Sequence, residues 1–198
     1  MVNIKLKEGN VMKKQLGIAM ALMLPAMAFA HPGHGMESAQ AGFLHPFTGW
    51  DHLLVMLAVG LWAGRLGGSA RWQLPLVFML LMAIGAACGL AGLAFDGVET
   101  AIAATVMAMG LLLLISLPIP PVLRMATVAL FAFMHGLAHG TELSPHSGAY
   151  ALAGMLMATG ILHMAGLALG SQTSRIAKWA QAGIAWGILL AGGYLLLA

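Results

Sequence analysis

The chain has 198 residues, 61% of them hydrophobic and only 8% charged, with nine Lys or Arg against six Asp or Glu. A soluble globular domain carries about 25% charged residues. A mean hydropathy of +0.92 leaves too few polar groups to cover a water-facing surface, so a soluble fold is excluded and an all-α polytopic membrane bundle is expected. The net charge of +3 resides at one end. Residues 1–30 hold Lys5, Lys7, Lys13 and Lys14 against Glu8. Beyond them, Arg65, Arg71, Arg124, Arg175 and Lys178 balance Glu37, Asp51, Asp96, Glu99 and Glu142. The basic balance therefore implies no nucleic-acid partner.

The first thirty residues read as a cleaved signal peptide. Met12-Lys13-Lys14 opens a basic region, Leu16 to Leu24 is a short apolar run, and Ala28-Phe29-Ala30 is a small-residue cleavage site. The signal reads from Met12, and cleavage makes His31 the mature N-terminus. Residues 31–198 then form one six-span domain. Six apolar stretches follow, roughly 46–64, 72–94, 101–119, 122–140, 149–170 and 179–197, each near the ~20 residues a spanning helix needs. The segments 65–71, 118–124 and 171–178 hold the five cations beyond residue 30 and no acid. The segments 31–45, 95–100 and 141–148 hold acids and no cation. The positive-inside rule places the first set in the cytoplasm. Both the mature N-terminus and the C-terminus then face outward from a bacterial inner membrane.

Glycines at four-residue spacing, Gly60/Gly64, Gly85/Gly89, Gly136/Gly140 and Gly183/Gly187, predict close helix packing. Five of the sixteen methionines fall in the first thirty residues and the rest are scattered. They read as flexible core filler rather than as a copper site. The lone Cys88 can form no internal disulfide and reads as a small packing residue.

The chemistry must lie in polar residues that a membrane disfavours, since a charge at the bilayer centre costs about 2.5–3.5 kcal/mol on insertion scales. The first span opens His45-Pro46-Phe47-Thr48-Gly49-Trp50-Asp51-His52. Pro46 suits the first helical position and places His45 at the cap. Asp51 and His52 point about 100° apart, so they share a site only in a crevice between helices. The fourth span carries His135, His139 and Glu142, which fall within about a 60° arc of one helix face. Two imidazoles a turn apart, with a carboxylate beyond, can converge on a divalent ion. The plainer readings are a hydrogen-bonded structural acid for Asp51, interhelical hydrogen bonding for the histidine pair, and a mouth position for Glu142. His163 in the fifth span is a ligand or transit residue beside these, or a packing histidine by itself. His146 reads as a solvated loop histidine. His31 and His34, with the freed amine, offer an outer capture site or simply a solvated tail. No Lys or Arg lies within a span apart from Arg124 at the cytoplasmic edge of the fourth, so a buried carboxylate elsewhere in a span must be protonated or hold an exogenous cation. Imidazole beside it selects a transition metal. No GxxxxGK[ST] sequence is present, and the His-x-x-x-His of the fourth span has Gly136 where a zinc protease has Glu.

These residues resemble the HupE/UreJ family of hydrogenase and urease accessory proteins, regarded as nickel permeases. The resemblance rests on HPFTGWDH at 45–52, HGLAHGTE at 135–142, and Leu162-His163 followed by Gly166, and it covers the chain from His31 to the last span. The His45-x5-Asp51-His52 spacing is also similar, with one extra residue, to the HX4DH signature of the nickel/cobalt transporter family. Membership implies Ni2+, or Co2+, as a transported substrate supplied to hydrogenase or urease maturation, where spacing by itself gives only a divalent transition metal. The expectation is a permease and not an enzyme, with no permanently bound cofactor. Its partners are the metal ion and the lipid bilayer. Its path residues are His45, Asp51, His52, His135, His139, Glu142 and His163, with imidazole and carboxylate ligands and no thiolate. The rival readings are an intramembrane zinc hydrolase, a bis-histidine haem protein, and a metal sensor that binds without transport.

Overall fold

A computed structural model describes residues 38–115 and 117–198. The expected signal peptide at 1–30, and the capture residues His31 and His34, lie outside the described residues. The architecture is all-helical, with α1 (Ala39–Thr48), α2 (Trp50–Leu66), α3 (Ala70–Leu90), α4 (Val98–Leu114), α5 (Pro121–Glu142), α6 (Gly148–Gly170) and α7 (Arg175–Leu197). Helices α2 to α7 correspond to the six apolar stretches, with bounds moved by a few residues. Four of them, α3, α5, α6 and α7, are long and apolar enough to cross a membrane. At 17 residues each, α2 and α4 reach about 26 Å, just short of a hydrocarbon core of about 30 Å.

The helix ends follow from local chemistry. Ser38 and Ser174 cap α1 and α7, accepting from the backbone N–H groups of Ala41 (3.1 Å) and Ala177 (3.2 Å). Pro121 starts α5, where its missing N–H costs nothing. Gly67, at φ 69°, ends α2 in the left-handed region that favours glycine.

The start of the first span differs from the sequence expectation. Pro46 does not open a helix; it lies inside α1, and His45 sits in the last turn of that separate short helix. The physical cause is Gly49, whose extended backbone (φ −94°, ψ 118°) ends α1 and begins α2. The His45 carbonyl accepts from the Thr48 hydroxyl (2.8 Å) and the Gly49 N–H (3.4 Å). Helix α1 runs antiparallel to α6, with Gly42 against Ala151 and Gly154 against Ala39. The chain thus reverses at Gly49 and presents His45 and His52 on either side of one bend.

Backbone-to-backbone approach at glycine sets the packing. A β-carbon at Gly60 would overlap the His163 carbonyl, and one at Gly136 would overlap the Met82 carbonyl. Gly64, Gly85, Gly89 and Gly140 are equally tight. These contacts join α2 to α6, and α3 to α5, as parallel pairs. Of the expected Gly183/Gly187 pair, Gly183 faces open space. Helix α7 instead meets α4 through Gly192 against Met107 and Gly110 against Leu189, a register invisible to a four-residue spacing rule.

At the end of the bundle away from His52, Arg65 donates from Nε to Gln181 Oε1 (3.0 Å) and from Nη1 to the Leu113 carbonyl. The buried Gln181 amide donates to the carbonyls of Leu169 (2.8 Å) and Gln172 (3.0 Å), tying together four helices. On α3 both faces are apolar. Leu74, Phe78 and Met82 are buried, while Trp72, Leu76, Leu80 and Ile84 form an exposed stripe, which a helix keeps only where lipid replaces water.

Gly136→Ala should therefore destabilise the protein by about 1–3 kcal/mol through overpacking, read as an earlier thermal transition in detergent. Gly183→Ala should shift it by no more than about 0.5 kcal/mol. Equal transitions for the two variants would refute the packing argument.

Candidate metal centre

Three imidazoles from three helices meet near the Gly49 bend. The nearest ligand atoms of His45, His52 and His139 lie within 4.8 Å of one another. Ring centres are 4.2 Å apart for His52–His139, 4.8 Å for His45–His139 and 5.6 Å for His45–His52. An ion with metal–nitrogen bonds of about 2.1 Å needs neighbouring donors about 3.0–3.4 Å apart. Closing from 4.8 Å or less needs side-chain movements of only about 1 Å against that requirement. His139 is 1% exposed and His52 6%; His45 is partly buried.

The sequence expectation left Asp51 without a Lys or Arg partner, with a hydrogen-bonded structural acid as the plainer reading; it contacts His52, with Oδ1 2.6 Å from Nδ1 and 2.8 Å from the His52 backbone N–H. The carboxylate sits in the first turn of α2, where the helix dipole favours negative charge. Because the carboxylate is an acceptor, His52 Nδ1 carries the proton and Nε2 holds the lone pair. This carboxylate–imidazole pair fixes tautomer and ring orientation as in many metal sites.

Two further histidines use the same device with backbone carbonyls. His135 Nδ1 donates to the Phe131 carbonyl (2.9 Å), and His163 Nδ1 donates to the Thr159 carbonyl (2.8 Å). Both residues are essentially inaccessible, at 0% and 1% exposed. The Nε2 atoms of His52, His135 and His163 are buried without a hydrogen-bond partner. A buried polar atom left so is costly, and a lone pair on neutral imidazole is a metal ligand in waiting. His135 is 5.2 Å from His52 between ring centres and 6.1 Å from Phe78, while Phe78 is 4.9 Å from His163. The rings thus form a file leading inward from the triad, in the order His52, His135, Phe78, His163.

The sequence expectation grouped His135, His139 and Glu142 on one face. Both histidines do reach His52, but only His139 belongs to the tight triad. Glu142 is the last residue of α5 and partly buried, and His146 is exposed in the following connection. Phe78 was not anticipated. A phenylalanine in an apolar span carries no signal of its own, and only its two imidazole neighbours distinguish it.

The model of the HupE / UreJ protein family matches residues 18–195. The chain belongs to the HupE/UreJ family. Its curated relatives include Protein HupE of Rhizobium leguminosarum bv. viciae, 44% identical over 179 residues, which span 89% of this chain and 94% of that protein. No solved structure matches. For this HupE/UreJ member, the motifs HPFTGWDH and HGLAHGTE are the two segments that supply the triad.

Titration of the purified protein with Co2+, followed by its visible spectrum, should report nitrogen ligation that is lost in His52→Ala and in His139→Ala. Asp51→Asn should keep the site but weaken it about 10–100-fold, the usual cost of removing an outer-shell carboxylate. Unchanged affinity in Asp51→Asn would refute its orienting role.

Proposed function

We propose that this protein is a six-span inner-membrane permease that admits Ni2+, or Co2+, for hydrogenase or urease maturation. The observation that carries the reading is the buried His45–His52–His139 triad continued inward by His135 and His163. Imidazole donors suit late first-row ions over Mg2+ and Ca2+. A file of separate donors suits transit rather than storage, because conduction needs release as well as binding. The family provides the link to hydrogenase and urease, and to nickel or cobalt as cargo.

In this reading α2 to α7 all cross the bilayer, and the signal peptide 1–30 is removed. The cationic segments face the cytoplasm, and both mature termini face the periplasm. His31, His34 and the acidic outer segments gather the ion, and Glu142 stands at the mouth. The triad binds it with Asp51 orienting His52, and His135 and His163 pass it inward. The sequence carries no nucleotide-binding motif of the Walker type, so uptake is driven by the membrane potential, a coupled ion or trapping inside. The protein acts as a transporter and not as an enzyme.

The test is radioactive nickel accumulation at submicromolar supply in cells lacking their own nickel importers. Wild type should accumulate nickel. His52→Ala and His135→Ala/His139→Ala should lose at least about 90% of it at equal membrane abundance, since each removes a ligand. A well-expressed wild type that accumulates no nickel or cobalt would sink the permease reading. Tightly co-purifying zinc would then favour the hydrolase.

A further inference from the structure

The methionines read from the sequence as filler, yet two of them converge on a hydroxyl inside the file of histidines. The Thr159 hydroxyl donates to Met56 Sδ at 3.3 Å, and Met82 Sδ lies 3.9 Å from the same oxygen. Met56, Met82 and Thr159 are all at 0% exposure. The direction of the Thr159 hydroxyl is unusual for this molecule. Thr48, Thr105, Thr127 and Thr141 each donate to a carbonyl three or four residues back, the ordinary choice of a helical threonine. Thr159 turns instead to thioether sulfur, a weaker acceptor.

The placement is set by the backbone. Gly60 packs on the His163 carbonyl, and one turn earlier on both parallel helices Met56 meets Thr159. On the facing pair, Gly136 packs on the Met82 backbone. The node therefore lies one turn from His163, whose buried Nε2 has no hydrogen-bond partner. Two donors bound cis to one ion at about 2.1–2.4 Å lie about 3.2 Å apart, so separations of 3.3 and 3.9 Å are already close to that requirement. The hydroxyl proton needs only to swing to a carbonyl of its own helix, as in the other threonines, to turn its lone pairs toward an ion.

We propose that Met56, Met82 and Thr159, with His163 one turn further in, form a second and softer metal station that discriminates late transition-metal ions from manganese and magnesium. The proposal rests on the permease reading for its role, though not for its existence. Thioether sulfur is a soft donor, poorly matched to hard ions, which prefer carboxylate, carbonyl and water. A path without sulfur discriminates less strongly, because its carboxylate donors also serve manganese.

Two measurements test it on the full chain. Met→Leu conserves core volume at less than about 1.5 kcal/mol, so Met56→Leu/Met82→Leu should fold, with Met109→Leu as a buried methionine away from the node. The double variant should lose at least about tenfold in nickel uptake at submicromolar supply, as expected for lost ligands. Its remaining uptake should become sensitive to excess manganese, while Met109→Leu behaves as wild type. Nickel-edge X-ray absorption on purified protein with two equivalents of Ni2+ should show a sulfur shell at about 2.4 Å that the double variant lacks. Uptake and manganese sensitivity equal to wild type would overturn the selectivity role while leaving the permease intact. A wild-type spectrum without sulfur would overturn the station itself. A sulfur shell in a protein that accumulates no nickel would uphold the station and sink only the permease reading.

Discussion

Glycine-mediated contact between parallel helices is the constraint from which the rest of the structure follows. Lipid offers apolar side chains no advantage in leaving it, so helices in a membrane associate through close packing and polar contacts rather than through the hydrophobic effect. Gly60 on the His163 carbonyl and Gly136 on the Met82 carbonyl bring two pairs of backbones into direct contact. Close contact at one point of two parallel helices fixes every residue pair along them. The register that sets Gly60 against His163 also sets Met56 against Thr159. It places His52 a further turn along, beside the α5 histidines. The donor file is thus a consequence of small residues elsewhere.

The bend at Gly49 adds what parallel helices cannot provide. Adjacent residues on one helix diverge by about 100°, so HPFTGWDH on a continuous helix would spread its donors around the circumference. By ending α1 and starting α2, Gly49 lets His45 and His52 approach from two helices. The new N-terminus lies beside Asp51, which the helix dipole favours and which in turn aims His52. One extended residue therefore serves two donors and their orientation.

Much of this was legible in the sequence, and the failures have identifiable physical causes. Hydropathy located helices α2 to α7 within a few residues, four of them long and apolar enough to cross a membrane, because lipid demands long uninterrupted apolar segments. The file of buried histidines was legible because imidazole in such a segment is costly without a purpose. The break at Gly49 was not. Pro46 signals a helix start, where its missing N–H costs nothing, and only the packing of α1 on α6 sets it inside a helix instead. For Asp51 the sequence left open a hydrogen-bonded acid or a metal-side carboxylate, because spacing does not show which way two adjacent side chains turn. Gly183 was misread because spacing within one helix does not reveal which face meets a neighbour. The sulfur node was hidden for the same reason. Met56, Met82 and Thr159 lie on three helices and share no sequence pattern.

The order of donors along the file also bears on how an ion can move. A single tight site would hold its ion, so passage requires several sites of comparable and moderate affinity. On the proposed path the triad would offer imidazole with a carboxylate behind it, His135 one further nitrogen, and the Met56–Thr159–Met82 node sulfur and a neutral hydroxyl. Charge stabilisation thus falls along the file, since the orienting Asp51 carboxylate stands at its outer end. Softer sulfur donors enter part-way along the file, before the imidazole of His163. An ion gaining covalency with sulfur and nitrogen retains stabilisation as carboxylate charge recedes, whereas a hard ion loses it. Phe78 sharpens the contrast. Packed between His135 and His163, it offers no polar group to carry water alongside the ion. A cation that keeps its hydration shell, as Mg2+ does reluctantly giving up water, is poorly matched to that step. Under the proposed reading, selectivity would arise from the sequence of environments an ion must tolerate, and no single site would have to bind tightly enough to stop it.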